Sequence, residues 1–194
     1  MAYPEHLETE RLVLRRWRAE DAPAMEAIWR EPEVWRALQP HRAFDPEQWR
    51  SMLDRHLSHW EMHGFGLWAV ATREDPCPMG WIGASHPTFV PELADEVEIG
   101  WTIRPALWGA GLATEGAAAA VDAAFTELPR QRVISLIHPE NHRSMAVAGR
   151  LGMARDGEAT PPDLGEPLTV YALSRSSWNS SSSRGASAQS TSSR

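Results

Sequence analysis

Val97, Ile99, Trp101 and Ile103 alternate with Glu96, Glu98, Gly100 and Thr102. A period of two puts each set on its own face of a strand, one apolar and one carrying polar groups. Shorter apolar runs predict further strands at 12–17, 67–71, 79–84, 132–137 and 168–173. Between them the spacing becomes helical. Met25, Ile28 and Trp29 mark one face of a helix over 19–30, and Trp49, Leu53, Leu57 and Trp60 mark another that stops at Gly64. Asp45 is expected to cap that second helix, with Pro46 in its first position and Gln48 three residues after the cap. An alanine-rich helix follows the glycine-bearing turn after Arg104-Pro105, and Asn141 is expected to cap a last helix reaching Leu151.

Helices among many strands around one core predict an α/β (α+β) fold. At 194 residues the chain has the length of one domain, expected over 1–175. The segment from Ser176 to Arg194 is mostly Ser with Gly, Ala, Asn, Gln and Thr. It offers little to bury and is expected to be a disordered tail.

Composition narrows the chemistry. All 19 basic residues are arginine, which excludes a lysine Schiff base and a phosphate loop that depends on lysine. A net charge of −7 argues against blanket binding of nucleic acid. Cys77 is the only cysteine, so neither an intrachain disulfide nor a cysteine zinc site is available. Its Pro-Cys-Pro setting carries no mark of an activated nucleophile. The N-terminal residues lack the apolar core of a signal peptide, and no stretch nears the ~20 apolar residues of a membrane span. A cytoplasmic protein with no membrane partner is expected.

The strand at 97–103 runs through Trp108-Gly109-Ala110-Gly111 directly into a helix. Glycines let the backbone turn sharply and approach a ligand, and a helix start offers unpaired N–H groups to an anion. This is either a phosphate cradle made of backbone or an ordinary strand-to-helix turn. It is not the dinucleotide fingerprint, because Thr114 stands where a third glycine would be needed. His56, His59 and His63 share a helix face, but beside a tryptophan stripe and without matching carboxylates, so no metal site is expected. His138 and His142 are expected to touch substrate or coenzyme instead. Trp17, Trp49, Trp60 and Trp81 are expected in the core. Trp29, and Trp35 in the loop after it, either join that core or line an amine pocket.

Five segments together resemble the GNAT acetyltransferase superfamily, in its ribosomal-protein N-terminal acetyltransferase-like branch. They are Leu-x-Thr-Glu-Arg-Leu-x-Leu-Arg (7–15), Glu-Ile-Gly-Trp (98–101), Trp-Gly-x-Gly-x-Ala-Thr-Glu (108–115), Pro-x-Asn-x-x-Ser (139–144) and Leu-Gly-Met (151–153). The resemblance implies a single domain with a central twisted, mostly antiparallel mixed sheet flanked by helices. It also implies acetyl-coenzyme A in a cleft where two strands splay, with the pyrophosphate on the N–H groups of Trp108, Gly109, Ala110, Gly111, Leu112 and Ala113. The pantetheine arm would pair like a strand with Trp101, Thr102 and Ile103, bordered by Asn141 and Ser144. The implied reaction moves acetyl by direct attack of a primary amine, either a protein N-terminus or a small molecule. No metal is implied, and homodimers are common in the family.

Two departures stand out. Ala106 occupies a position that is often Gln or Arg, and Ala148 falls where many members carry the tyrosine that protonates the leaving thiolate. A thiol of pKa about 8.5 can leave without full protonation, and Ser144 or a water is an alternative donor. Glu98 is the candidate base, against the reading of an outward carboxylate on a half-exposed strand; Glu96 and Asp95 are weaker candidates. Asn141 and Ser144 also suit a plain helix start. Two rival functions are an acyl-coenzyme A-binding sensor without catalysis and an interaction module acting through residues 19–63.

Overall fold

The computed structural model describes residues 2–42 and 45–180. Its strands are β1 (His6–Glu8), β2 (Leu12–Arg15), β3 (Leu67–Thr72), β4 (Gly80–Ser85), β5 (Glu98–Ile103), β6 (Arg132–Ile137), β7 (Ala154–Ala159) and β8 (Leu168–Ser174). They form one open sheet in the order β1-β2-β3-β4-β5-β6-β8-β7. Every pairing is antiparallel except that of β5 with β6. The α/β (α+β) fold with a mostly antiparallel mixed sheet is therefore the one observed.

The central strands are apolar on both faces because both faces are covered. Trp68, Val70, Ile82 and Ala84 pack towards α4 (Leu112–Glu127) and α5 (His142–Arg150), against Ala117, Ala120, Val121 and Val147. Ala69 and Trp81, one residue out of phase, pack on the other face with Met25, Ile28, Trp49 and Leu53 of α1 (Ala22–Trp29) and α3 (Gln48–His63). Small residues set the distance between α4 and the sheet. A Cβ on Gly116 would lie 2.5 Å from Ile82 Cδ1, so this position must stay bare for the helix to sit where it does. Among the described residues no helix is long and apolar enough to cross a membrane.

Several expectations need correction. α3 begins at Gln48 rather than after an Asp45 cap; Asp45 Oδ1 instead accepts from Glu47 N (2.9 Å), closing a turn just before the helix. Trp35 lies in α2 (Pro32–Leu38), not in a loop: Pro32 at its start is compatible with a new helix immediately after α1 ends. β1 and β7 are edge strands that the pattern did not reveal. β7 reads Ala-Arg-Asp-Gly-Glu-Ala with all but its last residue exposed, so it has no apolar alternation to see. Residues 175–180 are helical, so the helical chain runs past Ser176, and Trp178 Nε1 donates to Asp122 Oδ1 on α4 (2.6 Å). Residues 181–194 of the serine-rich segment lie outside the described residues.

Candidate functional site

β5 and β6 start as a parallel pair and then part. Their register holds one pair, Glu98↔Ile134, with Ile134 N donating to Val97 O (2.9 Å). One step further along, a parallel ladder would bond Leu136 N to Ile99 O. Two side chains take those partners instead. Leu136 N donates to Glu98 Oε1 (3.3 Å), and Ser135 Oγ donates to Ile99 O (2.6 Å). The strands separate where Glu98 and Ser135 replace the ladder.

The free edge this leaves on β5 is specific. Arg104 N bonds Met79 O across the β4 side, so by the two-residue alternation of an antiparallel ladder the backbone groups of Trp101 and Ile103 face away from β4. The carbonyl of Ile103 accepts from Trp108 Nε1 (2.6 Å). The amide and carbonyl of Trp101 look into the gap, where no ladder pairing reaches them.

A cavity of about 690 Å³ opens on that edge, lined by Trp101–Ile103, Trp108–Ala113, Asn141 and Ser144 among others. Gly109 and Gly111 hold φ of 82° and 80°, the left-handed region where glycine is at home. Gly111 caps α4, and the first helical bond is Glu115 N to Gly111 O, so the amides of Leu112, Ala113 and Thr114 are outside the helix ladder. Arg11 braces the turn from the β1–β2 loop by donating to Ala110 O (2.8 Å) and to Glu115 (2.6 Å). Burial alone would raise the Glu115 carboxyl; Thr9 and Arg11 donating to it bring it below its ordinary range. It stays an anion at the wall of this cavity, neutralised there by Arg11.

A second cavity of about 380 Å³ lies on the α1–α3 side of the same gap. Trp29, Trp81, Met52 and Leu67 give it apolar walls, and Glu98 lines it. The two cavities share Ala37, Leu38, Trp101, Thr102, Asn141 and Ser144. Asn141 joins their roof to their wall. Its Oδ1 accepts from Ser144 N (3.1 Å), capping α5, while its Nδ2 donates to Ala37 O of α2 (3.1 Å).

A family model described as an acetyltransferase (GNAT) domain matches residues 11–154. The chain belongs to the GNAT acetyltransferase family. An acetyltransferase from Agrobacterium tumefaciens superposes with a TM-score of 0.74 at 30% identity, covering 90% of this chain and 96% of that one. The uncharacterized N-acetyltransferase p20 of Bacillus licheniformis is 27% identical over 154 residues, 79% of this chain and 84% of that protein. The ribosomal-protein-S5-alanine acetyltransferase of Vibrio fischeri shares the fold, with a TM-score of 0.67 at 18% identity over 89% of this chain and 98% of that one.

Within this GNAT domain the candidate base is not an outward carboxylate. Glu98 is half-buried at the wall of the second cavity, and burial pushes it from the ordinary 4.5 up to about 7, with the Leu136 amide pulling the other way. Glu96 is held by Arg132 (3.0 Å) and Asp95 is exposed, and neither lines either of these two cavities. Ser144 is on the wall common to both cavities. Ala148 is fully buried in the core, so that position offers nothing to either.

The histidines divide. His138 lines the second cavity, while His142 is exposed and lines neither. His56 is wedged between the rings of Trp17 and Trp81, where burial pushes it down to about 3. His59 bonds Phe65 O and accepts from His86 N, a neutral ring fully engaged. Three potential ligand groups do converge at His41, His138 and Glu166. His138 Nδ1 accepts from Glu140 N (3.2 Å), however, which leaves the proton on Nε2, facing Glu166 at 3.3 Å. That nitrogen donates a hydrogen bond and has no lone pair to offer a cation.

Arg143 and Arg150 also line the first cavity, with the Arg143 guanidinium 4.6 Å from the Trp108 ring. Sequence reading missed both. The available signal was the spacing of Arg143, Ala146, Val147 and Arg150, which puts both arginines on one face of the helix that follows the Asn141 cap.

Proposed function

We propose that the protein is an acetyl-coenzyme A-dependent N-acetyltransferase acting on a primary amine. The observation that carries this reading is the parting of β5 and β6 at Glu98, which puts an open strand edge, a glycine-turned helix start and a carboxyl group around one gap. The cradle fits the coenzyme on its own terms. A Cβ on Gly109 would meet nothing within 4 Å, so the turn faces open space, and it presents amides unused by the helix. Amides of a pantetheine arm match the unpaired backbone of Trp101. Leu112 to Thr114 and the guanidiniums of Arg143 and Arg150 match the pyrophosphate.

Bound acetyl-coenzyme A supplies a thioester carbonyl. This chain's residues do the rest. Trp101, Thr102, Asn141 and Ser144, common to both cavities, hold the acyl end where an amine in the second cavity can reach it. The amine nitrogen forms the new C–N bond, Glu98 takes the amine proton, and the C–S bond breaks with the electron pair leaving on sulfur. A carboxyl poised at about 7 is matched to that task near neutrality. With alanine at 148, the Ser144 hydroxyl is the protein group placed to hydrogen-bond the departing sulfur.

Calorimetry with acetyl-coenzyme A tests the reading. Micromolar binding by the parent, lost in Gly111→Glu, supports it. That variant forces a side chain into φ of 80° and sets a carboxylate before the helix start. A parent that binds no acetyl-coenzyme A overturns it.

A further inference from the structure

Most arginines in the described residues are matched to a carboxylate, as in Arg15 with Asp21 and Arg132 with Glu96. Those at the two cavities are not. Arg143 and Arg150 face the first cavity, and Arg42 and Arg55 line the second; among the described residues none of the four has an ion-pair partner. For the first pair the proposed coenzyme provides the anion. For the second pair nothing among the described residues does.

Arg55 is placed there by design of its helix. Gln48, Met52 and Arg55 recur at the spacing that shares one helical face, and that face of α3 lines the second cavity. Burial lowers the Arg55 guanidinium below its usual range, with no carboxylate to offset it. The acids near it in sequence are used elsewhere or point elsewhere: Glu47 pairs with Arg50, and Asp54 lines neither cavity. Arg55 is nonetheless exposed at the rim of the cavity, so its guanidinium is hydrated in the free protein, faces no counter-charge and is open to an arriving anion.

We propose that the acceptor is an amine on an apolar body that also carries a carboxylate, in the manner of a free amino acid with an apolar side chain. Arg55 receives the carboxylate at the cavity mouth, assisted by Arg42. The tryptophan and methionine walls take the apolar body, and the amine lies towards Glu98. This deepens the acetyltransferase reading and rests on it. Two guanidiniums repel the second ammonium of a polyamine. Asp163 also lines this cavity and disfavours a dianion such as a phosphomonoester. A protein N-terminus continues as neutral backbone and leaves Arg55 unmatched.

The test compares L-methionine, L-leucine and L-phenylalanine with their C-terminal amides. Acetylation is followed by thiol release, and binding by quenching of tryptophan fluorescence, since Trp29, Trp81 and Trp101 line the cavity. In the parent, kcat/KM and affinity for at least one acid exceed those for its amide by about tenfold or more, the scale of a charge-assisted contact. In Arg55→Gln that ratio falls to about one, while acetyl-coenzyme A binding by calorimetry stays parental. Amides accepted as well as acids overturn the proposal, and so does a preference that survives Arg55→Gln, or no response to any of the six compounds. Loss of the acetyl-coenzyme A reading is visible separately, in calorimetry on the parent. The fluorescence titration still reports on Arg55 in that case.

Discussion

The two cavities share a wall but are built from different materials. The side we assign to the coenzyme is made of backbone: a strand edge that β6 leaves unpaired at Trp101, two left-handed glycines, and the first amides of α4. The side we assign to the acceptor is made largely of side chains, from α1, α3, β4, β5 and the loop before β8 among others. Backbone donors keep their positions when neighbouring side chains change, so the first cavity suits a fixed ligand. The second can change its occupant by single substitutions while the fold stays put. The contrast predicts that variants on the first side alter binding of the coenzyme whatever the acceptor, and that variants on the second alter turnover and acceptor choice.

Glu98→Gln tests the division most sharply. The amide oxygen can still accept from Leu136 N, so the parting of the strands is kept while the proton acceptor is lost. We expect kcat/KM to fall by about 100-fold or more, with acetyl-coenzyme A affinity within about twofold of the parent. In the parent we expect kcat/KM to carry a limb that rises with pH through about 7, as the carboxyl ionises. That limb should disappear in the variant. The same group carries a stability signature of known sign. Its folded pKa lies above its ordinary 4.5, so its favourable contribution is complete below that value and is lost as pH rises through about 7. Glu98→Gln should therefore match the parent at pH 4 and exceed it at pH 8, by up to about 3 kcal/mol. Equal turnover in variant and parent removes Glu98 from the mechanism, whatever the thermal melts show.

Arg143→Ala comes next and asks how purely the first cavity is backbone. Its guanidinium stacks on Trp108 at the turn. An affinity loss for acetyl-coenzyme A of about tenfold, shrinking as salt is added, assigns it to the phosphates. No loss leaves the amides as the whole of the cradle and makes the contrast between the cavities complete.

The same contrast explains what could be read in the chain. Gly109, Gly111 and Asn141 announce themselves because turns and caps are local: the chemistry of each sits within four residues of its cause. The period-two pattern of β5 is local too. Arg55 carries no such mark. Its meaning depends on which carboxylates fail to reach it, a property of the folded chain. Glu98 was visible as a carboxyl on the polar face of the right strand, but whether that face meets solvent or lines a cavity was not, because the elements that wall the cavity come from distant parts of the chain. β7 was hidden by its charges and α2 by its shortness. Asp45 had every attribute of a cap and was displaced by a turn that uses its side chain two residues early.

Asn141 is the residue where the division between the cavities should blur, and its variants give the smallest expected effects. Asn141→Ala removes both the α5 cap and the tie to Ala37 O, and costs about 1 kcal/mol, or about 2–4 °C in a domain of this size. Acetyl-coenzyme A dissociation and acceptor KM should both rise by about threefold, since the residue lines both cavities. Asn141→Ser separates the two bonds. A serine oxygen still caps the helix, but the side chain is too short and carries no amide to reach α2. Stability and coenzyme affinity should then return towards the parent while acceptor KM stays raised, because α2 roofs the gap and Ala37 O has lost its donor. If Asn141→Ser instead weakens coenzyme binding as much as Asn141→Ala does, the roof serves the donor side, and the acceptor cavity keeps its shape without the tie to α2.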